Sequence, residues 1–65
     1  MRYTKQELNS LETIEQDWSG SELKIEEDNV RVWLNPRENR QHDGDYTVET
    51  RRNNSWTSKN YHFEY

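Results

Sequence analysis

Residues 22–35, "ELKIEEDNVRVWLN", alternate between apolar and polar on both sides of the turn-forming pair Asp28-Asn29. A period of two marks a strand with one buried face, and a two-residue loop between two such runs specifies a β-hairpin. Closing the hairpin at Asp28-Asn29 sets Ile25 opposite Val32 and Leu23 opposite Leu34 on one face. The other face then pairs Glu26 with Arg31 and Lys24 with Trp33, acid against base and cation against aromatic. A slip of one residue would turn every side chain to the wrong side, so agreement on both faces constrains the register.

Pro36 has no N–H for a ladder and ends the second strand. A third strand, "DYTVETR", places Tyr46, Val48 and Thr50 on one side. Pairing Leu34 with Tyr46 and Val32 with Val48 also brings Arg31 to Glu49. The intervening "NPRENRQHDGD" is either a long connection or a continuation of both strands to a tight turn at Asp43-Gly44, with a bulge correcting the parity. The run "TRRNNSW" then reads as another hairpin turn, because asparagine tolerates the positive φ needed at Asn53 and Asn54. That turn sets Tyr46 opposite Tyr61, Thr50 opposite Thr57 and Arg51 across from Trp56, with Phe63 following on the Tyr46 side.

The N-terminal segment carries helix signals. Thr4 and Glu7 have the spacing of a capping box, and Tyr3 and Leu8 that of a hydrophobic staple. At about 100° per residue, Leu8, Leu11, Ile14 and Trp18 share one arc, and Gly20 supplies a stop. The spacing predicts a helix that begins after Thr4 and ends at Gly20. Residues 1–65 are therefore expected to form a single small α+β domain, an N-terminal helix packed on a four-stranded antiparallel meander. Leu8, Leu11, Ile14 and Trp18 would cover Leu23, Ile25, Val30, Val32, Leu34, Tyr46, Val48, Tyr61 and Phe63. A small β-barrel with the helix at one end is the alternative.

Such a fold must be held by little material. Of 65 residues, 28% are hydrophobic and 34% charged, and cysteine and alanine are absent. A disulfide and a thiolate metal site are excluded. Three Trp, four Tyr and one Phe must supply the buried area. No apolar run approaches the roughly 18 residues of a membrane-spanning helix, and the polar opening "MRYTKQEL" is unlike a signal peptide. A soluble cytoplasmic protein is the expectation. The missing alanine and the seven asparagines point to an AT-rich source such as a phage or other mobile element.

The registers define an outer sheet face with Lys24, Arg31, Trp33, Arg51 and Trp56 among its residues. Exposed tryptophans often mark a partner site, whereas a curled sheet would bury both in a second small core. Trp33 and Trp56 fall on the order of 15 Å apart, from strand spacing and rise, which suits a broad protein contact better than one small-molecule pocket. The arginines among these aromatics resemble a single-strand nucleic-acid platform, but a net charge of −4 and the acids Glu26 and Glu49 on the same face argue against it. Charge is also uneven: residues 1–29 hold eight acids against three bases, and residues 30–59 hold six bases against four acids. Acids on the expected helix can imitate a phosphate backbone, although a solvated face is the plainer account.

His42, Asp43 and Asp45 in "HDGD" read as turn chemistry around Gly44 rather than as a cation site, since no spaced ligands complete a shell. His62 alternates with Tyr61 and Phe63 as an exposed strand residue. Serines lack a nucleophile elbow, and no glycine-rich phosphate loop is present. The expectation is a non-enzymatic interaction module with no cofactor and no metal. It would bind a protein partner, or a second copy as a homodimer, through Trp33, Trp56, Arg31, Arg51 and Lys24. Single-stranded nucleic-acid binding and acidic mimicry of nucleic acid are the alternatives.

Overall fold

The computed structural model describes residues 3–39 and 44–63. One short helix, α1 (Lys5–Ser10), precedes five strands: β1 (Glu15–Gln16), β2 (Glu22–Glu27), β3 (Val30–Leu34), β4 (Tyr46–Arg52) and β5 (Ser55–Tyr61). The strands form one antiparallel sheet in the order β1-β2-β3-β4-β5, a meander with two open edges and not a closed barrel. A 3-10 turn at Arg37–Asn39 follows Pro36. The turn expected at Asp43-Gly44 rests partly on Asp43, which with His42 lies outside the described residues.

The helix begins where the sequence places it and ends far earlier. Thr4 is the N-cap, and its Oγ1 accepts the Glu7 N–H at 3.1 Å while its hydroxyl reaches Glu7 Oε1 at 3.2 Å. Only six residues follow. Ser10 turns its hydroxyl back onto the Glu7 carbonyl at 2.9 Å, a side-chain bond that competes with the helical ladder. Leu11 is already extended at ψ 148°, and β-branched Thr13 and Ile14 gain more from an extended chain than from a helix. The expected helix beyond Ser10 is therefore a correction: residues 15–16 form a fifth strand at the sheet edge, paired Glu15 with Leu23 and Gln16 with Glu22.

Consequently Leu8 alone of the expected helical stripe enters the core. It is fully buried with Val32, Leu34, Tyr46, Val48 and Phe63, and Tyr3, Ile25, Val30 and Tyr61 pack against this cluster. Leu11 and Ile14 are 40% and 54% exposed, and Trp18 is 98% exposed. Tyr46 holds the cluster together. Its ring stacks on Tyr61 and Phe63 at 5.4 and 5.3 Å and meets Tyr3 edge-on at 5.9 Å. Its phenol accepts the Tyr3 N–H at 3.1 Å, tying the chain start to β4.

Two buried polar residues anchor the connections. Asn35 donates to the Gly44 carbonyl and to Thr47 Oγ1, both at 3.1 Å, and accepts the Ser21 hydroxyl at 3.2 Å. Asp45 Oδ2 accepts the Phe63 N–H at 2.6 Å and lies 3.7 Å from His62 Nδ1. A buried polar side chain is tolerable only when satisfied in this way.

Candidate functional site

The sheet face opposite α1 is laid out by three registers. Between β3 and β4, Arg31 pairs with Glu49, Val32 with Val48, Trp33 with Thr47 and Leu34 with Tyr46. Between β4 and β5, Thr47 pairs with Asn60, Glu49 with Ser58 and Arg51 with Trp56. These are the pairings that period-two alternation and the Asn53-Asn54 turn predict, and both asparagines take positive φ, 49° and 65°. Directly opposed residues project to the same side, so Arg31, Trp33, Thr47, Glu49, Arg51, Trp56, Ser58 and Asn60 share the outer face.

The first hairpin departs from its expected register halfway along. Glu27–Val30, Glu26–Arg31 and Ile25–Val32 pair as predicted, and then the register shifts between Leu23 and Ile25. Lys24 is the inserted residue, so Leu23 stands opposite Trp33 and Glu22 opposite Leu34. Two expectations are corrected here. Leu23 belongs to an outer row, Glu15–Leu23–Trp33–Thr47–Asn60, although it is 1% exposed. Lys24 does not pair with Trp33; its ammonium is buried against the chain, donating to the Leu11 carbonyl at 3.0 Å and Thr13 Oγ1 at 2.9 Å. A β-bulge inserts one residue and changes the facing of everything beyond it, which alternation cannot encode.

On the outer face two guanidiniums lie against one indole, that of Trp56. Arg31 Cζ lies 4.4 Å from the Trp56 ring centroid and Arg51 Cζ 5.5 Å. Arg31 Nε also reaches Glu26 Oε2 at 3.3 Å, and Arg51 Nε donates to Asn29 Oδ1 at 3.3 Å. Trp33 Nε1 donates to Glu49 Oε1. Both tryptophans are half-buried, so neither stands fully in solvent, and their registers keep both out of the core cluster around Leu8, on the face away from α1. Guanidinium over indole combines a cation with the negative face of the ring and is preferred to ammonium for its planarity. The cluster can therefore present flat aromatic and cationic surface in a fixed arrangement.

A third tryptophan, which the helical reading consigned to the core, is the most exposed large apolar side chain among the described residues. Trp18 sits in the turn between β1 and β2. Asp17 Oδ1 accepts Ser19 N–H at 2.9 Å, Ser19 Oγ–H at 2.7 Å and Ser21 N–H at 3.0 Å, while Gly20 N–H reaches the Asp17 carbonyl at 3.1 Å. Gly20 takes φ +93°. The signal was present in "DWSGS": Asp followed by Ser and Gly is turn chemistry, in which the carboxylate caps the next backbone donors. Burial alone would raise the Asp17 pKa, but the Ser19 hydroxyl and the N–H groups of Ser21, Ser19 and Gly20 outweigh it and hold the carboxyl below its ordinary range.

Among the described residues, no three His, Cys, Asp or Glu side chains gather into a metal-holding group. No described helix is long and apolar enough to cross a membrane. In comparison with known proteins, no family model matches this chain, no curated protein matches it and no solved structure matches it.

Proposed function

We propose that this chain is a non-enzymatic protein-binding module whose contact surface is the outer sheet face. The observation that carries the reading is Trp56 held under Arg31 and Arg51, with Trp33 on the same face and no described helix packed over it. Tryptophan and arginine dominate the energetics of protein interfaces, and side chains already fixed by their neighbours lose less entropy on binding. Lys24, tied to Leu11 and Thr13, supports the sheet edge in this account and is not a contact residue. Affinity capture from the source cells with wild type, Trp33→Ala and Trp56→Ala as baits tests it. The expected result is a partner retained by wild type and lost by both folded variants.

Single-stranded nucleic acid is the second reading, favoured by the two guanidiniums at Trp56. Stacking bases and paired phosphates would use the same side chains. Glu26 and Glu49 lie directly across from Arg31 and would repel a phosphate backbone. Titration of a labelled oligonucleotide at two salt concentrations separates the readings, because phosphate contacts weaken steeply with salt. Mimicry of nucleic acid loses its helical scaffold, since Glu12, Glu15 and Asp17 fall beyond the end of α1.

A further inference from the structure

The two edges of the sheet differ sharply. β1 offers two residues, whereas β5 runs for seven, Ser55–Tyr61, paired with β4 along its whole length without a register shift. Among the described residues no element lies beyond β5. It contains no proline and no bulge, and its one charged residue is Lys59. An edge of this length with open N–H and C=O groups is a template for another strand unless something blunts it.

The register identifies which groups are open. In a two-residue hairpin the pair flanking the loop, here Arg52 and Ser55, exchanges both of its hydrogen bonds, and bonded pairs recur at every second position. Thr57 and Lys59 therefore point their backbone groups at Thr50 and Val48. Independently, the Arg51 N–H is spent on the Asn29 carbonyl at 2.9 Å, on the β3 side. Trp56, Ser58 and Asn60 are thus the residues whose N–H and C=O face away from the sheet.

We infer that β5 pairs antiparallel with β5 of a second copy of this chain, about a two-fold axis at Ser58. This register alone matches all three outward residues at once: Trp56 opposes Asn60 of the second copy, Ser58 opposes its own mate, and Asn60 opposes Trp56. Thr57 then faces Lys59 of the second copy, so no like charges meet. Sliding the pairing one repeat toward the chain end sets Lys59 against Lys59, and sliding it the other way leaves an outward residue unmatched. Lys59 does not block the edge, because it shares the inner face with Tyr61 and its ammonium lies 5.6 Å from that ring, lengthwise along the strand. Pairing joins the two sheets into one and brings both outer faces to the same side. The inference stands apart from the outer-face reading, since it rests on backbone groups and not on the indoles.

Sedimentation across a concentration series, with amide exchange followed residue by residue, tests it. Ser58 is exposed and faces Glu49 within the chain, so Ser58→Lys preserves the fold while setting two ammoniums against each other at the axis. Wild type is expected to dimerise, with the Trp56, Ser58 and Asn60 amides gaining protection as concentration rises. Thr57 and Lys59 amides stay protected throughout and report that β5 remains folded. Ser58→Lys should raise the dissociation constant about tenfold or more, and mixing it with Ser58→Glu should restore the dimer. A wild-type chain that stays monomeric at about millimolar concentration overturns the inference, at a dissociation constant too weak for a specific contact. So does a dimer indifferent to Ser58→Lys, or one that the mixture fails to restore.

Discussion

The Arg31 guanidinium lies 4.4 Å from the Trp56 ring centroid, although β4 separates the strands that carry the two residues. The contact spans a diagonal of the outer face, so it couples β3 to β5 without a backbone bond between them. Trp56→Ala should cost about 2 kcal/mol, below the value for a fully buried indole because the side chain is only partly buried. A double-mutant cycle with Arg31→Ala should return a coupling of about 0.5–1 kcal/mol, measured by urea denaturation.

Trp18→Ala should leave stability within about 0.5 kcal/mol of wild type, since the side chain is 98% exposed. Leu8→Ala, at a position with no exposed surface, should cost about 3 kcal/mol. The contrast between these two is the mark of a helix that ends at Ser10. A helix continuing to Gly20 would make both substitutions costly.

The Asp17 carboxyl has a folded-state pKa below its ordinary value of 3.8. The stabilisation it contributes is therefore present above that value and is lost as pH falls through the folded-state pKa. Denaturation midpoints of wild type should decline below about pH 4 more steeply than those of Asp17→Asn. Trp18 fluorescence should report the loosening of the turn over the same interval.

Much of the sheet was legible in the residues themselves. Asn53-Asn54 fixes one hairpin, and setting Val32 against Val48 and Leu34 against Tyr46 also brings Arg31 to Glu49, so the pairings from β3 to β5 follow from apolar and charge agreement together. What escaped has two physical causes. Leu8, Leu11, Ile14 and Trp18 fit a helical arc, but spacing carries no account of the Ser10 side-chain bond or the Asp17-capped turn that compete with it. The bulge at Lys24 comes with bonds from its ammonium to Leu11 and Thr13, contacts outside the hairpin that strand alternation does not contain. Arg31, Trp33, Arg51 and Trp56 keep their expected face because the β3–β4 and β4–β5 registers run as expected, whereas Lys24 gives up its place opposite Trp33 to Leu23.

Backbone requirements give two substitutions of opposite sign. Gly44 takes φ +107°, and an added Cβ would sit 2.8 Å from the Tyr61 carbonyl oxygen, which already accepts the Asp45 N–H at 2.7 Å. Gly44→Ala should destabilise by about 2 kcal/mol or more. Asn54→Gly, at φ 65° in an exposed turn, should stabilise by a few tenths, about 0.3 kcal/mol, because the left-handed conformation costs glycine less. Thermal melts of the two variants should shift in opposite directions.

The outer-face account is tested most directly by the three indole N–H resonances, which report separately on Trp18, Trp33 and Trp56. On titration with the captured partner, followed by two-dimensional NMR, the Trp33 and Trp56 signals should shift or broaden while that of Trp18 stays in place. A spectrum in which Trp18 moves and the other two remain fixed would contradict the account and put the contact at the turn between β1 and β2.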